Sequence, residues 1–220
     1  MADPVLTQSL RRRWRHIAVE GPIGVGKSSL ARKLAAAFDA ELLLELPQEN
    51  PFLERFYADG SRYAFQTQMF FLFQRLDQYR ALAQTQIFEA PVVADFMFEK
   101  DALFAKLTLD DEEYRLYQQM YAQLASRAAR PDLVIWLRAE PQVLMQRIAQ
   151  RGIAMERSID LDYLQRLGDA YARHFESDTS TPVLAVDTQG FDPLSQQSHF
   201  DALLARLARF EGGRESYSPG

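Results

Sequence analysis

The run Gly21-Pro22-Ile23-Gly24-Val25-Gly26-Lys27-Ser28 constrains this chain more than any other. It joins an apolar stretch, Ile17-Ala18-Val19, to a segment with helical periodicity, Ser29-Leu30-Ala31-Arg32-Lys33-Leu34. G-x-x-x-x-G-K-[ST] between a strand and a helix is a phosphate cradle. Glycines let backbone N–H groups converge on phosphate oxygens without Cβ clashes, and the new helix turns its positive end toward them. Lys27 adds a charge, and the Ser28 hydroxyl is a hard oxygen ligand for Mg²⁺. Gly21, Ile23, Gly24, Val25, Gly26, Lys27, Ser28 and Ser29 are therefore the expected triphosphate contacts. A plain glycine turn between strand and helix does not account for Lys27 and Ser28 together.

Short apolar runs recur after this loop: Glu41-Leu42-Leu43-Leu44-Glu45, Pro91-Val92-Val93-Ala94-Asp95, Leu133-Val134-Ile135-Trp136-Leu137 and Pro182-Val183-Leu184-Ala185-Val186-Asp187. Helical segments separate them. The longest runs from Arg62 to about Gln86, with Phe65, Met69, Leu72, Phe73, Leu76 and Tyr79 at helical spacing. Thr108-Leu109-Asp110-Asp111 reads as a helix N-terminus leading to about Ala128, with acidic residues at its positive end. Five strands alternating with helices predict an α/β fold, a five-stranded parallel sheet covered by helices on both faces, with the site at the carboxyl ends of the strands. A chain of 220 residues, 47% of them hydrophobic, supports one core. The expected organisation is a solvated lead-in over 1–15, one domain over 16–210 and a disordered tail over 211–220.

Composition removes several function classes. A net charge of -5 gives no general basic footprint for a nucleic-acid polymer. The chain has no cysteine, which excludes disulfides and thiolate chemistry and fits a reducing cytoplasm. Apolar runs such as Met69-Phe70-Phe71-Leu72-Phe73 are too short to span a bilayer. His16, His174 and His199 lie far apart, without metal-ligand spacing.

Transfer of phosphate from a triphosphate needs a metal, a cationic clamp and a group that orients the attacking oxygen. Glu45, at the end of the second strand, is a candidate acceptor for a hydroxyl proton, with a solvated strand end as the alternative. Asp95 closes the third strand, where a carboxylate holds Mg²⁺ together with Ser28 or else caps the next helix. Arg147 and Arg151 lie one helical turn apart before Gly152, a spacing that would let both guanidinium groups close over phosphates as a lid. Surface arginines at a helix end have the same pattern.

In order and spacing from His16 to Asp187, these residues resemble the deoxynucleoside kinase family, in its bacterial branch. The resemblance implies a P-loop kinase fold with an arginine-bearing lid, Mg²⁺ and ATP. It implies transfer of the γ-phosphate to the 5′-hydroxyl of a deoxynucleoside in nucleotide salvage, purines favoured, by a homodimer. Under it Glu45 is the catalytic base, acting with Lys27, Arg147 and Arg151. Gln66, in Phe65-Gln66-Thr67, and Asp101 read the base, Phe104 stacks on it, and Tyr57 and Glu156 contact the 3′-hydroxyl. Asp95 opens the acid-Arg-Ser motif, where Phe96 replaces the arginine; Ile153 replaces a second lid arginine. Lys100, Arg62 and Arg157 are candidate replacements for the lost charge. A monophosphate kinase of the thymidylate type, or a nucleotide-binding regulator without turnover, are the alternative readings.

Overall fold

The computed structural model describes residues 4–85, 90–125, 128–178 and 180–218. It contains one six-stranded sheet in the order β2-β3-β1-β4-β5-β6, with every neighbouring pair parallel. The strands are β1 (His16–Glu20), β2 (Glu41–Leu43), β3 (Val92–Ala94), β4 (Leu133–Arg138), β5 (Val183–Asp187) and β6 (Arg214–Tyr217). All residues of β1 and β3 are buried, as are all but the last of β4 and of β5. This is the continuous apolar reading of strands covered on both faces.

Nine α-helices of 6 to 26 residues occupy the described residues before and between the strands. They are α1 (Pro4–Arg13), α2 (Lys27–Phe38), α3 (Leu53–Ala58), α4 (Gly60–Thr85), α5 (Lys100–Thr108), α6 (Asp111–Leu124), α7 (Pro141–Arg151), α8 (Leu161–Ser177) and α9 (Gln197–Arg209). The N-terminus of α6 is a capping box: Asp110 accepts from the backbone of Glu112 and Glu113, and Glu113 reaches back to the Asp110 N–H. Pro141 starts α7, and Gly152 ends it. The far end of α4 near Gln86 lies outside the described residues.

Two expectations are corrected. The sheet has six strands, because the tail is not disordered where described: Arg214–Tyr217 pairs with β5. Gly212 and Gly213, at φ 117° and 71°, make a left-handed turn open to glycine, and α9 is long enough to return the chain parallel to β5. Residues 219–220 of the tail lie outside the described residues. The lead-in is also structured, with α1 burying Leu10 against α9 and α2 and leaving Trp14 only 7% exposed. Its arginines obscured that amphipathic turn.

The order of strands puts β1 at the point where connections leave in opposite directions, toward β3 and β2 on one side and β4 on the other. Ligand crevices form at such reversals. The loop after β1 opens into this one.

Candidate active site

The phosphate loop is shaped by backbone contacts that only glycine allows. Gly21 has φ 143°, and a Cβ there would lie 2.3 Å from the Leu137 carbonyl oxygen of β4. The loop is thus pressed against the neighbouring strand. Lys27 folds back over it, donating to the carbonyl oxygens of Gly21 at 2.8 Å and Pro22 at 3.1 Å. Glu20, fully buried, anchors the loop from below: it accepts from the Gly21 N–H at 3.1 Å, the Met97 N–H at 2.8 Å and the Tyr171 hydroxyl at 2.8 Å. Burial pushes its carboxyl up, against the pull of Lys100 and Lys27.

Two cavities meet at this loop. One, of about 580 Å³, runs from Gly24–Ser29 past Arg147 to the loop 188–196. The other, of about 250 Å³, is lined by Glu45, Tyr57, Gln68, Arg75, Phe104 and Glu156, among others. Gly24, Lys27, Ser28 and Arg151 line both. The geometry therefore offers two ligand sites with Lys27 at their junction.

Asp95 organises the junction. One carboxylate oxygen accepts from the Glu45 N–H at 2.7 Å, and the other accepts from the Ser28 hydroxyl. A hydroxyl and a carboxylate in contact are the hard oxygen donors that Mg²⁺ takes, with phosphate and water completing its shell. Among the described residues no group of three or more acidic or histidine side chains is set to hold a metal without a ligand's help.

Glu45 lies on the other side, between two cations. Lys100 Nζ donates to one carboxylate oxygen at 2.7 Å, and Arg75 Nη2 donates to the other. Burial pushes the Glu45 carboxyl up, but Lys100 and Arg75 outweigh it and hold the group well below the usual glutamate range. Glu45 is therefore ionised throughout the neutral range. Phe96 is fully buried against Tyr79, and Lys100, four residues on at the start of α5, takes a place beside Glu45. Arg62 and Arg157 are exposed and do not line either cavity.

Several expected residues change place. Gln66 is exposed and lines an outer groove of α4 with Phe65, Met69 and Phe73, not the cleft. Two positions on a helix differ by about 200°, so Gln68 faces the opposite way, into the smaller cavity, only 2% exposed. Asp101 does not line that cavity: it is completely buried behind Arg75, which pairs with it, and the Tyr117 hydroxyl donates to its other oxygen at 2.7 Å. Arg147 points to the larger cavity alone, donating to the Thr188 hydroxyl at 2.9 Å and carbonyl at 3.0 Å. Only Arg151 of the lid pair reaches the junction, where it donates to both Glu156 oxygens at 2.6 Å. Tyr57, Phe104 and Glu156 line the smaller cavity.

Gln68 and Arg75 escaped the sequence reading although a signal existed. They share the buried stripe Gln68, Leu72, Arg75, Leu76, Tyr79, and polar groups within an apolar stripe mark a lined cavity. Each keeps an unused polar atom: Gln68 Oε1 and Arg75 Nε are buried without a hydrogen-bond partner. The Gln68 amide is oriented by Thr108, whose hydroxyl donates to the Phe104 carbonyl at 2.8 Å and so accepts from Gln68 Nε2 at 3.1 Å.

With this geometry in hand, a family model described as deoxynucleoside kinase matches residues 17–210. The chain belongs to the deoxynucleoside kinase family. It is an ATP-dependent deoxynucleoside kinase, as the names of its relatives also indicate. The deoxyguanosine kinase of Bacillus subtilis (strain 168) is 32% identical over 196 residues, 87% of this chain and 95% of that protein. The deoxyadenosine kinase of Dictyostelium discoideum is 34% identical over 187 residues, 81% of this chain and 74% of that protein. The fold matches that of the deoxyadenosine kinase from M. mycoides solved with the products dCMP and a flexible dCDP, at a TM-score of 0.77 and 24% identity, over 88% of this chain and 99% of that one.

Lys27 carries a measurable consequence. Burial and the nearby Lys100 lower its pKa from 10.5 to about 8, with Glu20, Glu45 and Asp95 opposing. A lowered lysine loses its proton in the empty site between those values, and an arriving polyanion restores it. Triphosphate binding near pH 8 is therefore expected to take up part of a proton, and more as pH rises toward 9. Calorimetric titration in two buffers of different ionisation enthalpy measures this; equal heats in both at pH 8 to 9 would contradict it.

Proposed function

We propose that this kinase phosphorylates the 5′-hydroxyl of a purine deoxynucleoside for nucleotide salvage, with Mg²⁺-ATP in the larger cavity and the nucleoside in the smaller one. The observation that carries this reading is the meeting of the two cavities at Lys27 and Ser28, with Glu45 on the nucleoside side. Glu45 accepts the hydroxyl proton, Lys27 and Arg151 neutralise the transferring phosphoryl group, and Arg147 walls the donor. Ser28 and Asp95 would hold the metal, which would supply charge neutralisation to the donor. Gly24, Val25, Gly26 and Ser29 line the donor cavity and Ile23 the nucleoside cavity, so both faces of the phosphate loop are used.

On the nucleoside side, Gln68 Oε1 accepts from the base and Arg75 donates to it, filling the two unused polar positions. Asp101 acts through Arg75, Phe104 stacks on the base, and Tyr57 and Glu156 hold the sugar. The purine preference draws on the relatives named as deoxyguanosine and deoxyadenosine kinases. The catalytic domain takes in α1 and β6 together with residues 16–210. The outer groove of α4, lined by Leu46, Phe52, Phe65, Met69, Phe70 and Phe73, with Phe73 44% exposed, is the face a homodimer would cover. No helix among the described residues is long and apolar enough to cross a membrane, and a cysteine-free kinase suits the cytoplasm.

Phosphate transfer from labelled ATP to a panel of four deoxynucleosides and their monophosphates tests this reading. Deoxyguanosine or deoxyadenosine is expected to be the best acceptor, and transfer only to monophosphates would overturn it. In the same assay Gln68→Ala is expected to lower kcat/KM for the preferred nucleoside by about 10- to 100-fold, the loss of one buried polar contact. Gln66→Ala should change it less than about twofold. The reverse ranking would return base recognition to Gln66.

A further inference from the structure

The family match ends at residue 210, and β6 lies beyond it. We infer that β6 is a positioning element of the donor cavity, acting through Tyr217 on the loop that walls it. This rests on assigning the larger cavity to the triphosphate.

The register of the sheet makes the connection. Parallel pairing sets Tyr217 beside Val186, two residues before Thr188, where the chain leaves the sheet to form the loop 188–196. Residues along β6 alternate between exposed and half-buried, so Glu215 and Tyr217 share the inward face. Glu215 pairs with Arg206 of α9, which ties the strand to the helix before it. Tyr217 stands edge-on to Phe191, with ring centroids 5.7 Å apart and planes at 84°. Phe191, only 2% exposed, is itself part of the cavity wall.

Phe191 passes this support along the loop. Its ring also stacks on His199 at 5.0 Å, and His199 Nδ1 accepts from the Asp192 N–H at 2.9 Å. The Asp192 carboxylate in turn accepts from the N–H groups of Leu194 at 3.0 Å and Ser195 at 3.1 Å. Lys33 of α2 donates to the Pro193 carbonyl at 2.8 Å from the other side. The part of the wall around Asp192 is therefore tied through His199 to a ring that β6 holds from outside the cavity. Tyr217 does not line the cavity, so it shapes the site without touching the donor.

The inward strand covers Phe191 from behind, and an edge-to-face aromatic pair stabilises beyond its buried area. If that energy holds the loop in its donor-binding form, its loss appears in donor affinity and nowhere else. The test is initial-rate kinetics with ATP varied at saturating deoxyguanosine or deoxyadenosine, and the converse, on the full chain and on Tyr217→Ala, Tyr217→Phe and Arg147→Ala. Melting temperatures accompany the rates, and a chain ended after Phe210 serves as a second variant.

Tyr217→Ala is expected to raise the KM for ATP about threefold to tenfold, with kcat and nucleoside KM unchanged, and Tyr217→Phe to restore it. An unchanged ATP KM in Tyr217→Ala, with a raised one in Arg147→Ala, overturns the role of β6 and leaves the donor assignment standing. Parallel increases in both KM values with a lower melting temperature also overturn it, since they mark a strand that only stabilises the fold. If neither Tyr217→Ala nor Arg147→Ala alters the ATP KM, the donor assignment itself fails.

Discussion

Glu45→Gln is expected to lower kcat by about 10²- to 10⁴-fold, with nucleoside KM changed far less. Glutamine keeps the shape and one acceptor oxygen, so the substrate still docks, but the amide takes no proton from the 5′-hydroxyl. The position of Glu45 between Lys100 and Arg75 makes this a test of role as well as identity. Two cations hold the carboxyl well below the usual range, and a weak base is a modest proton acceptor. Phosphoryl transfer passes through a loose transition state in which the hydroxyl loses its proton late, so orientation of the oxygen matters more than basicity. The ionised form persists through the neutral range, and no acid limb from this group is expected in kcat at pH 5 to 9 beyond that of the wild type's phosphates. Full turnover of Glu45→Gln at neutral pH would remove Glu45 from the mechanism.

Arg75→Met is expected to cost both stability and turnover. Arg75 is only 2% exposed, and its guanidinium joins the buried Asp101 to Glu45. Removing one partner of a buried pair leaves an uncompensated charge and costs about 3–5 kcal/mol. For a chain of this size that lowers the melting temperature by roughly 6–20 °C. Asp101→Asn in the same chain removes the stranded carboxylate, and the Tyr117 hydroxyl still has an oxygen to donate to. The double variant should therefore melt several degrees above Arg75→Met while remaining poor in turnover, because Glu45 has lost a partner either way. Thermal melts with steady-state rates separate the two effects. Equal melting of Arg75→Met and wild type would show that the pairing carries no stability.

What the sequence revealed follows from local chemistry. The phosphate loop, the strands Ile17–Val19 and Leu133–Leu137 and the α6 cap at Asp110 are each set by neighbours a few residues away, and each formed where periodicity and turn chemistry put it. Arg151 is legible from its helical spacing, whereas Tyr57, Phe104 and Glu156, which also line the cleft, are expected there on family resemblance. Residues missed depend on distant contacts. β6 forms because α9 and the Gly212-Gly213 turn bring a polar tetrapeptide alongside β5, and nothing in Arg-Glu-Ser-Tyr alone signals an edge strand.

Gln66 attracted attention through its Phe-Gln-Thr setting, yet helix phase decides which face a residue presents, and the phase favours Gln68. The missing motif arginine at Phe96 suggested lost charge. The two cations beside Glu45, Lys100 and Arg75, come from α5 and α4, segments 55 and 30 residues away in the chain, so local sequence does not reveal them.

The most direct measurement is a crystal structure with deoxyguanosine or deoxyadenosine and a non-hydrolysable ATP analogue bound together. The expected result places the 5′-oxygen within hydrogen-bond distance of the Glu45 carboxylate and in line with the terminal phosphate over Lys27, with the base against Gln68 and Arg75. A nucleoside seated with its 5′-oxygen away from Glu45, or a triphosphate outside the cavity that Arg147 walls, would contradict the account.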